Sequence, residues 1–272
     1  MKRVTQEISL AGRTLTLSTG DIAGLATSSV LARYGDTMIL ATVSTRKLES
    51  DPGFMPLTVE YVERLYAGGK IKGSRWVKRE GRPSDEAILV ARLVDRCLRP
   101  LFPKDFRDEV QVVLTVLSVD GENDPNVLSA VAASAALAIS PLPWNGPVAV
   151  MRLGMQDGTF FVNPTDSEMA FSNLDLVVSL KKSPDGFSIL MIEAGANQVP
   201  EEKIIEALTS ASAPAATLIE GILEFAQKAG TVKQKPAPPR HDTTLLTKID
   251  QNYRKEIDRF FGGSYCGDKL YK

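Results

Sequence analysis

Lys70–Arg99, KIKGSRWVKREGRPSDEAILVARLVDRCLR, decides how the rest of the chain is read. It starts as a basic, Gly-punctuated loop carrying a tryptophan and continues as a helix with arginine repeating on one face. Between Lys70 and Arg82 stand six cations, Lys70, Lys72, Arg75, Lys78, Arg79 and Arg82, against the acid Glu80, whereas the whole chain has a net charge of −1. A local excess of this kind on a nearly neutral chain points to an anionic partner. Phosphates are held by Lys and Arg side chains and backbone N–H groups, and exposed aromatic rings stack on unpaired bases. Trp76 between Arg75 and Lys78 has that composition, and Gly73 and Gly81 let a backbone approach closely. A solvated surface loop with Trp76 folded into the core has the same composition, so composition alone leaves both readings open.

The helix has clear ends. Pro83 sets the approach, Ser84 is the expected N-cap, and Asp85 and Glu86 complement the first-turn dipole. Ile88, Leu89 and Leu93, with Val90 and Cys97, supply an apolar side, and Arg99-Pro100 with Pro103 stops the helix. Arg92, Arg96 and Arg99 fall at i, i+4 and i+7 on one stripe. Such a stripe either pairs locally, Arg92 with Asp95 or Glu86, or extends the cationic surface of the loop before it. Its position directly after the loop favours the second.

Outward from this stretch the pattern alternates strands and helices. Upstream, Thr14–Ser18, Ser28–Tyr34 and Thr37–Ser44 read as strands, the last two a hairpin about Gly35-Asp36, and Leu57–Val62 follows the Asp51-Pro52-Gly53 loop. Downstream, Glu109–Val119 reads as a central strand, and Asp124 with Pro125 opens a small-residue helix to about Ile139. Val148–Leu153, Thr159–Val162, Leu174–Leu180 and Phe187–Glu193 follow, joined by Asp157-Gly158 and Asp185-Gly186 turns. Pro200–Lys228 reads as helix, kinked or split by Pro214, and a Pro- and Lys-rich connector leads to an amphipathic helix, roughly Thr243–Phe260. The pattern mixes strands and helices, an α+β (α/β) class. The final segment cannot bury a core of its own and reads as unfinished.

With 272 residues, 43% hydrophobic and 24% charged, the chain can hold one large domain and a smaller piece. Cys97 and Cys266 fit no metal-ligand spacing and read as free thiols of a reducing cytoplasm. MKRVTQEISLAG lacks an apolar signal region, and the apolar run Val127–Leu142 is short and Ala/Ser-rich, so no membrane partner is expected. The lone histidine, His241, has no Ser or Cys partner. No Walker-type loop is present, and the spacing of Asp166, Glu168 and Asp175 gives no strong magnesium ligand set. The residues alone describe an RNA- or phosphate-binding α/β domain with no visible active site.

Longer runs are more specific. PLTVEYVERLYAGGKIKGS, KREGRPSDEAILVARLVDRCLRPLFP and EVQVVLTVLSVDGENDPNVLSAVAASAALAIS, then NGPVAVMRLG, FVNPT, LDLVVSL and LIEGILEFAQKAG, resemble bacterial polyribonucleotide nucleotidyltransferase (polynucleotide phosphorylase). The resemblance covers essentially the whole chain. It implies a first RNase PH-like (ribosomal protein S5 domain 2-like) core over 1–212, a helix and Pro-rich connector over 213–240, and an incomplete all-helical linker domain over 241–272. Family members carry a second RNase PH-like core and RNA-binding domains, assemble as a homotrimer ring, and degrade mRNA from its 3′ end. They use inorganic phosphate and Mg2+ and release nucleoside diphosphates.

The same resemblance implies RNA contact through Trp76, Lys78, Arg79 and Arg82 of the loop and Arg92, Arg96 and Arg99 of the helix. It places the phosphate-binding serine loop and the catalytic aspartates in the second core. Here Gly121-Glu122-Asn123-Asp124-Pro125 stands for the serine loop, and Ser167 and Asn173 stand for the aspartates. No catalytic or metal-ligating residue is therefore expected in this chain, and the Mg2+ site is expected in the second core. An alternative is a stand-alone RNA-binding or scaffold subunit that pairs with a separate catalytic core.

Overall fold

The computed structural model describes residues 3–71, 73, 81–235 and 243–262, and contacts group them into two units, the first ending at 235. In the first unit, strands β1 (Val4–Leu10), β2 (Arg13–Thr19), β3 (Ser28–Tyr34) and β4 (Thr37–Arg46) form an antiparallel meander. Their side chains alternate: Thr37, Ile39, Ala41 and Val43 of β4 are buried while the residues between them are less so. β6 (Glu109–Ser118) pairs antiparallel with β4 on one side and parallel with β5 (Leu57–Val62) on the other. The sheet order is β1-β2-β3-β4-β6-β5, which leaves β5 as an edge. A parallel pair needs a crossover, and the crossover between β5 and β6 carries the basic loop and helix α1 (Asp85–Leu98).

Helix α2 (Pro125–Ile139) is the centre of the unit. Asp124 caps it, Pro125 occupies its first position, and every residue from Val127 to Ile139 is buried. A helix apolar on all sides must be enclosed. It lies against β3 and β4 on one side and against β7 (Val148–Gln156) on the other, with α1 and α5 (Ser212–Ala229) beside it. β7 belongs to a second, antiparallel sheet of order β10-β9-β7-β8, with β8 Thr159–Val162, β9 Leu174–Ser183 and β10 Gly186–Ala196. A short helix α3 (Asp166–Met169) joins β8 to β9.

Polar groups fasten α2 to both sheets. Ser28 Oγ of β3 donates to the Ala136 carbonyl (2.8 Å). Ser134 Oγ donates to the Val148 carbonyl and accepts from the Val148 N–H, both at 2.9 Å. Trp144 Nε1 donates to the Leu98 carbonyl at 3.0 Å, securing the end of α1.

Two expectations change in detail. α1 buries Ala87, Val90, Leu93, Val94, Cys97 and Leu98, whereas Ile88 and Leu89, read as core-facing, are exposed. Three adjacent apolar residues leave the helix phase ambiguous, and the phase that buries Val94 and Leu98 turns 88 and 89 outward. The helix expected over Pro200–Lys228 is two, α4 (Glu201–Ser210) and α5, breaking at Ala211 with Pro214 in the first turn of α5. α5 packs against β1, where a Cβ on Gly221 would sit 2.4 Å from Ile8 Cγ1.

The second unit contains helix α6 (Thr243–Gly262), with Arg254 paired to Asp250 (2.9 Å) and Asp258 (3.2 Å). Among the described residues no helix is long and apolar enough to cross a membrane. Gly221→Val, which forces α5 off β1, is expected to lower unfolding free energy by about 1–3 kcal/mol. Ser134→Ala, which strands the buried Val148 backbone groups, is expected to cost about 1–3 kcal/mol. Urea denaturation measures both.

Candidate nucleic-acid interface

The free edge of β5 and the exposed side of α1 line one groove. Leu57–Val62 runs along one wall, and Ile88, Arg92, Asp95, Arg96 and Arg99 stand along the other. Beyond Tyr61 and Val62 it continues into a hollow bordered by Glu63, Arg64, Lys70, Gly81, Arg82 and Ser84. The local reasons were visible in sequence: Ser84 Oγ caps α1 by accepting the Ala87 N–H at 3.0 Å, and burial of one helix face turns the arginine stripe towards the groove.

The stripe divides by role. Arg99 grips Asp95 with two hydrogen bonds (2.9 and 2.7 Å) and donates to the carbonyls of Met55 and Leu57 (both 3.2 Å). It ties the end of α1 to the start of β5. Arg96 pairs with Glu193 of β10, both half exposed; such surface pairs contribute little and exchange partners readily. Arg92 and Arg82 are exposed and make no ion pair among the described residues. Asp95 therefore pairs with Arg99 and not with Arg92. Trp76, Lys78 and Arg79 lie outside the described residues.

The loop before α2 is closed off from anions by its own contacts. Asp120 accepts the backbone N–H groups of Asp36 (2.9 Å), Glu122 (2.9 Å) and Asn123 (2.8 Å), and the Asn123 amide at 2.6 Å. Burial acts to raise its pKa, but these donors outweigh it and hold the carboxyl well below the ordinary 3.8. Asp124 accepts the Asn126 N–H (2.8 Å), and Arg152 bridges Asp124 (2.9 Å) and Asp175 (2.7 and 2.8 Å). Burial raises the Asp124 pKa, with the adjacent guanidinium opposing it. Arg13 lies 4.6 Å over the Tyr34 ring and donates to Asn123 Oδ1 and the Asn163 carbonyl.

A helix N-terminus ordinarily suits an anion; this one holds carboxylates. The hollow beneath it, lined by Tyr34, Asn123, Arg152 and Asn163, encloses about 20 Å3, room for a single water and not for phosphate. The carboxylates of Asp124 and Asp175 are bridged by a guanidinium, so their surroundings do not fit Mg2+. Ser167 Oγ donates to Glu122 (3.3 Å), and the backbone of Asn173 bonds Met155 and Asn197 (both 2.9 Å). Neither supplies a carboxylate. Sequence reading named Asp124 as a cap but missed Arg152, whose partners lie 28 and 23 residues away and leave no local signal.

Two sheets enclose a helix layer, and a groove carrying Arg92, Arg96 and Arg99 lies along one sheet edge. The sequence matches the 3′ exoribonuclease (RNase PH) family, domain 1 over residues 11–143 and domain 2 over 146–213, and the chain belongs to that family. It is similar to the polyribonucleotide nucleotidyltransferase of Roseiflexus castenholzii, 49% identical over 243 residues, covering 89% of this chain and 32% of the relative. That of Thermus thermophilus is 48% identical over 233 residues (86% and 32%), and that of Chloroflexus aggregans 47% over 269 (98% and 33%). The resemblance read in the sequence is thereby borne out.

The chain spans about a third of the length of these relatives. Among solved structures, rice (Oryza sativa) Rrp46 shares the fold, with a TM-score of 0.64 at 14% identity over 78% of this chain and 94% of that one. The match to domain 2 of the family ends at 213, while the first unit runs on to 235.

Removing Arg152 leaves Asp124 buried and unpaired, so Arg152→Met is expected to cost about 3 kcal/mol of stability by chemical denaturation. Asp120 has a native pKa below its unfolded value, so its contribution is complete above about pH 5 and is lost as pH falls further. The stability gap between the parent chain and Asp120→Asn should hold constant above about pH 5 and shrink on acidification.

Proposed function

We propose that this chain is the RNA-guiding first core of a phosphorolytic 3′→5′ exoribonuclease, which converts RNA and phosphate to nucleoside diphosphates in mRNA degradation. The observation that carries this is the β5–α1 groove, whose described rim includes Lys70, Arg82 and Arg92. A single strand laid along it would meet these cations, while the strand edge of β5 supplies peptide groups that do not discriminate between bases. Binding of that kind is driven by release of counterions and is independent of sequence.

Bond breaking belongs in this reading to a second core. The position that would receive phosphate is filled by Asp120 and Asp124, and the carboxylates that might hold a metal are bridged by Arg152. Mg2+ and inorganic phosphate are accordingly assigned to a second core outside these residues. Trp76, Lys78 and Arg79 extend the cationic surface in this proposal, and closure of three chains into a ring would set three such grooves about one axis. A cytoplasmic location fits the same role. The curated relatives carry the name of the enzyme itself, which favours this reading over a stand-alone scaffold subunit.

The purified chain is expected to bind single-stranded RNA weakly, with affinity falling steeply as salt rises, and to release no nucleoside diphosphate from poly(A) with phosphate and Mg2+. Arg92→Ala should weaken binding and reduce the slope of log K against log salt by about 0.7. Diphosphate release by the pure chain that is abolished by a substitution within it would overturn the proposal.

A further inference from the structure

Glu63 is out of place on charge alone. Its carboxylate stands in the wall of the hollow that holds Lys70 and Arg82, where a negative charge opposes phosphate binding. Its hydrogen bond explains what it does there. Ser84 Oγ donates to Glu63 Oε2 at 2.8 Å, across 21 residues of chain. The same oxygen accepts the Ala87 N–H at 3.0 Å. One hydroxyl thus closes the neck of the crossover, joining the residue after β5 to the residue before α1.

The two arms meeting at this neck each carry a cation. On the incoming arm the chain makes a turn over Leu65–Gly68, and Ala67 is buried with its carbonyl accepting the Val119 N–H at 3.0 Å. Gly69, in the left-handed region at φ 68°, closes the turn, and the Lys70 N–H bonds the Leu65 carbonyl at 3.0 Å. That arm is anchored to the sheet. The outgoing arm, Gly81–Ser84, has no backbone hydrogen bond to the sheet among the described residues; Ser84 is tied to α1 by its cap and by the Ile88 N–H on its carbonyl (3.1 Å), and the Glu63 contact is what joins it to the β5 side.

We infer that Glu63 is a positioning residue: by holding Ser84 it keeps Arg82 facing the same hollow as Lys70, so that the two cations act on one strand. This rests on reading the groove as an RNA interface. A positioning role and a charge role differ in sign. If Glu63 acted only through its charge, removing it would tighten RNA binding; if it acts by accepting the Ser84 hydroxyl, removing the acceptor loosens binding, while a neutral acceptor preserves it.

The test measures single-stranded poly(A) affinity of the 272-residue chain and of Glu63→Ala, Glu63→Gln, Lys70→Ala and Arg82→Ala, with thermal midpoints as a check on folding. Glu63→Ala is expected to bind about fivefold more weakly, or worse, with an unchanged midpoint, and Glu63→Gln to bind as well as the parent or better. Equal or tighter binding by Glu63→Ala overturns the inference, as does equal loss in both Glu63 variants. If Lys70→Ala and Arg82→Ala weaken binding and Glu63→Ala does not, the groove reading stands and the positioning role alone fails. If neither cation variant changes affinity, the groove reading fails and takes the positioning role with it.

Discussion

Enclosure of α2 on every side is the constraint from which the other features follow. A helix with no solvent face must present small side chains if two sheets are to close over it, and Ala and Ser supply eight of the residues from Ser129 to Ala138. Ser134 and Ser28 do more than save space: each satisfies a buried carbonyl, Val148 on the second sheet and Ala136 on α2 itself. Leaving those groups unpaired would cost more than a lost contact. The position of α2 fixes both sheets, and the sheets fix which strand lies at the edge.

The edge matters because β5 joins the sheet in parallel. Parallel pairing requires a long connection, and that connection is where the cations are concentrated. Had β5 returned by a tight hairpin, there would be neither a helix beside the edge nor room for a basic loop. The groove follows from topology and its charge from composition. Within it, Arg99 is committed to holding helix against strand, whereas Arg96 sits in a surface pair that a phosphate can replace at little cost.

Much of the fold was legible because the signals were local. Ser84 and Asp124 were read as caps, Leu57–Val62 as a strand, and the Asp157-Gly158 and Asp185-Gly186 turns as hairpins, each from chemistry within a few residues. Ile88 and Leu89 were misassigned because periodicity gives a helix an apolar face only when apolar residues are not consecutive. The cationic stripe was legible, but the division of labour within it was not: Arg96 finds Glu193 far along the chain, and Asp95 chooses the arginine four residues on over the one three residues back. Arg152 and the Glu63–Ser84 contact were invisible for the same reason. Long-range polar pairs are set by packing, and packing has no period.

The two ends of α2 are neutralised from within the chain. Asp124 caps the first turn, and at the last turn Lys233 donates to the Leu137 carbonyl (2.6 Å) while the Thr231 N–H bonds that of Ile139 (3.0 Å). A helix so compensated at both ends serves as a strut. The same helix without the Asp124 carboxylate, and without Arg152 beneath, would present an uncompensated positive dipole end, which favours an anion. In a fold that occurs more than once in a polypeptide, this gives a short mutational route by which one copy can be given over to architecture while another keeps the chemistry: the backbone need not change, only the source of the charge that satisfies the end of one helix.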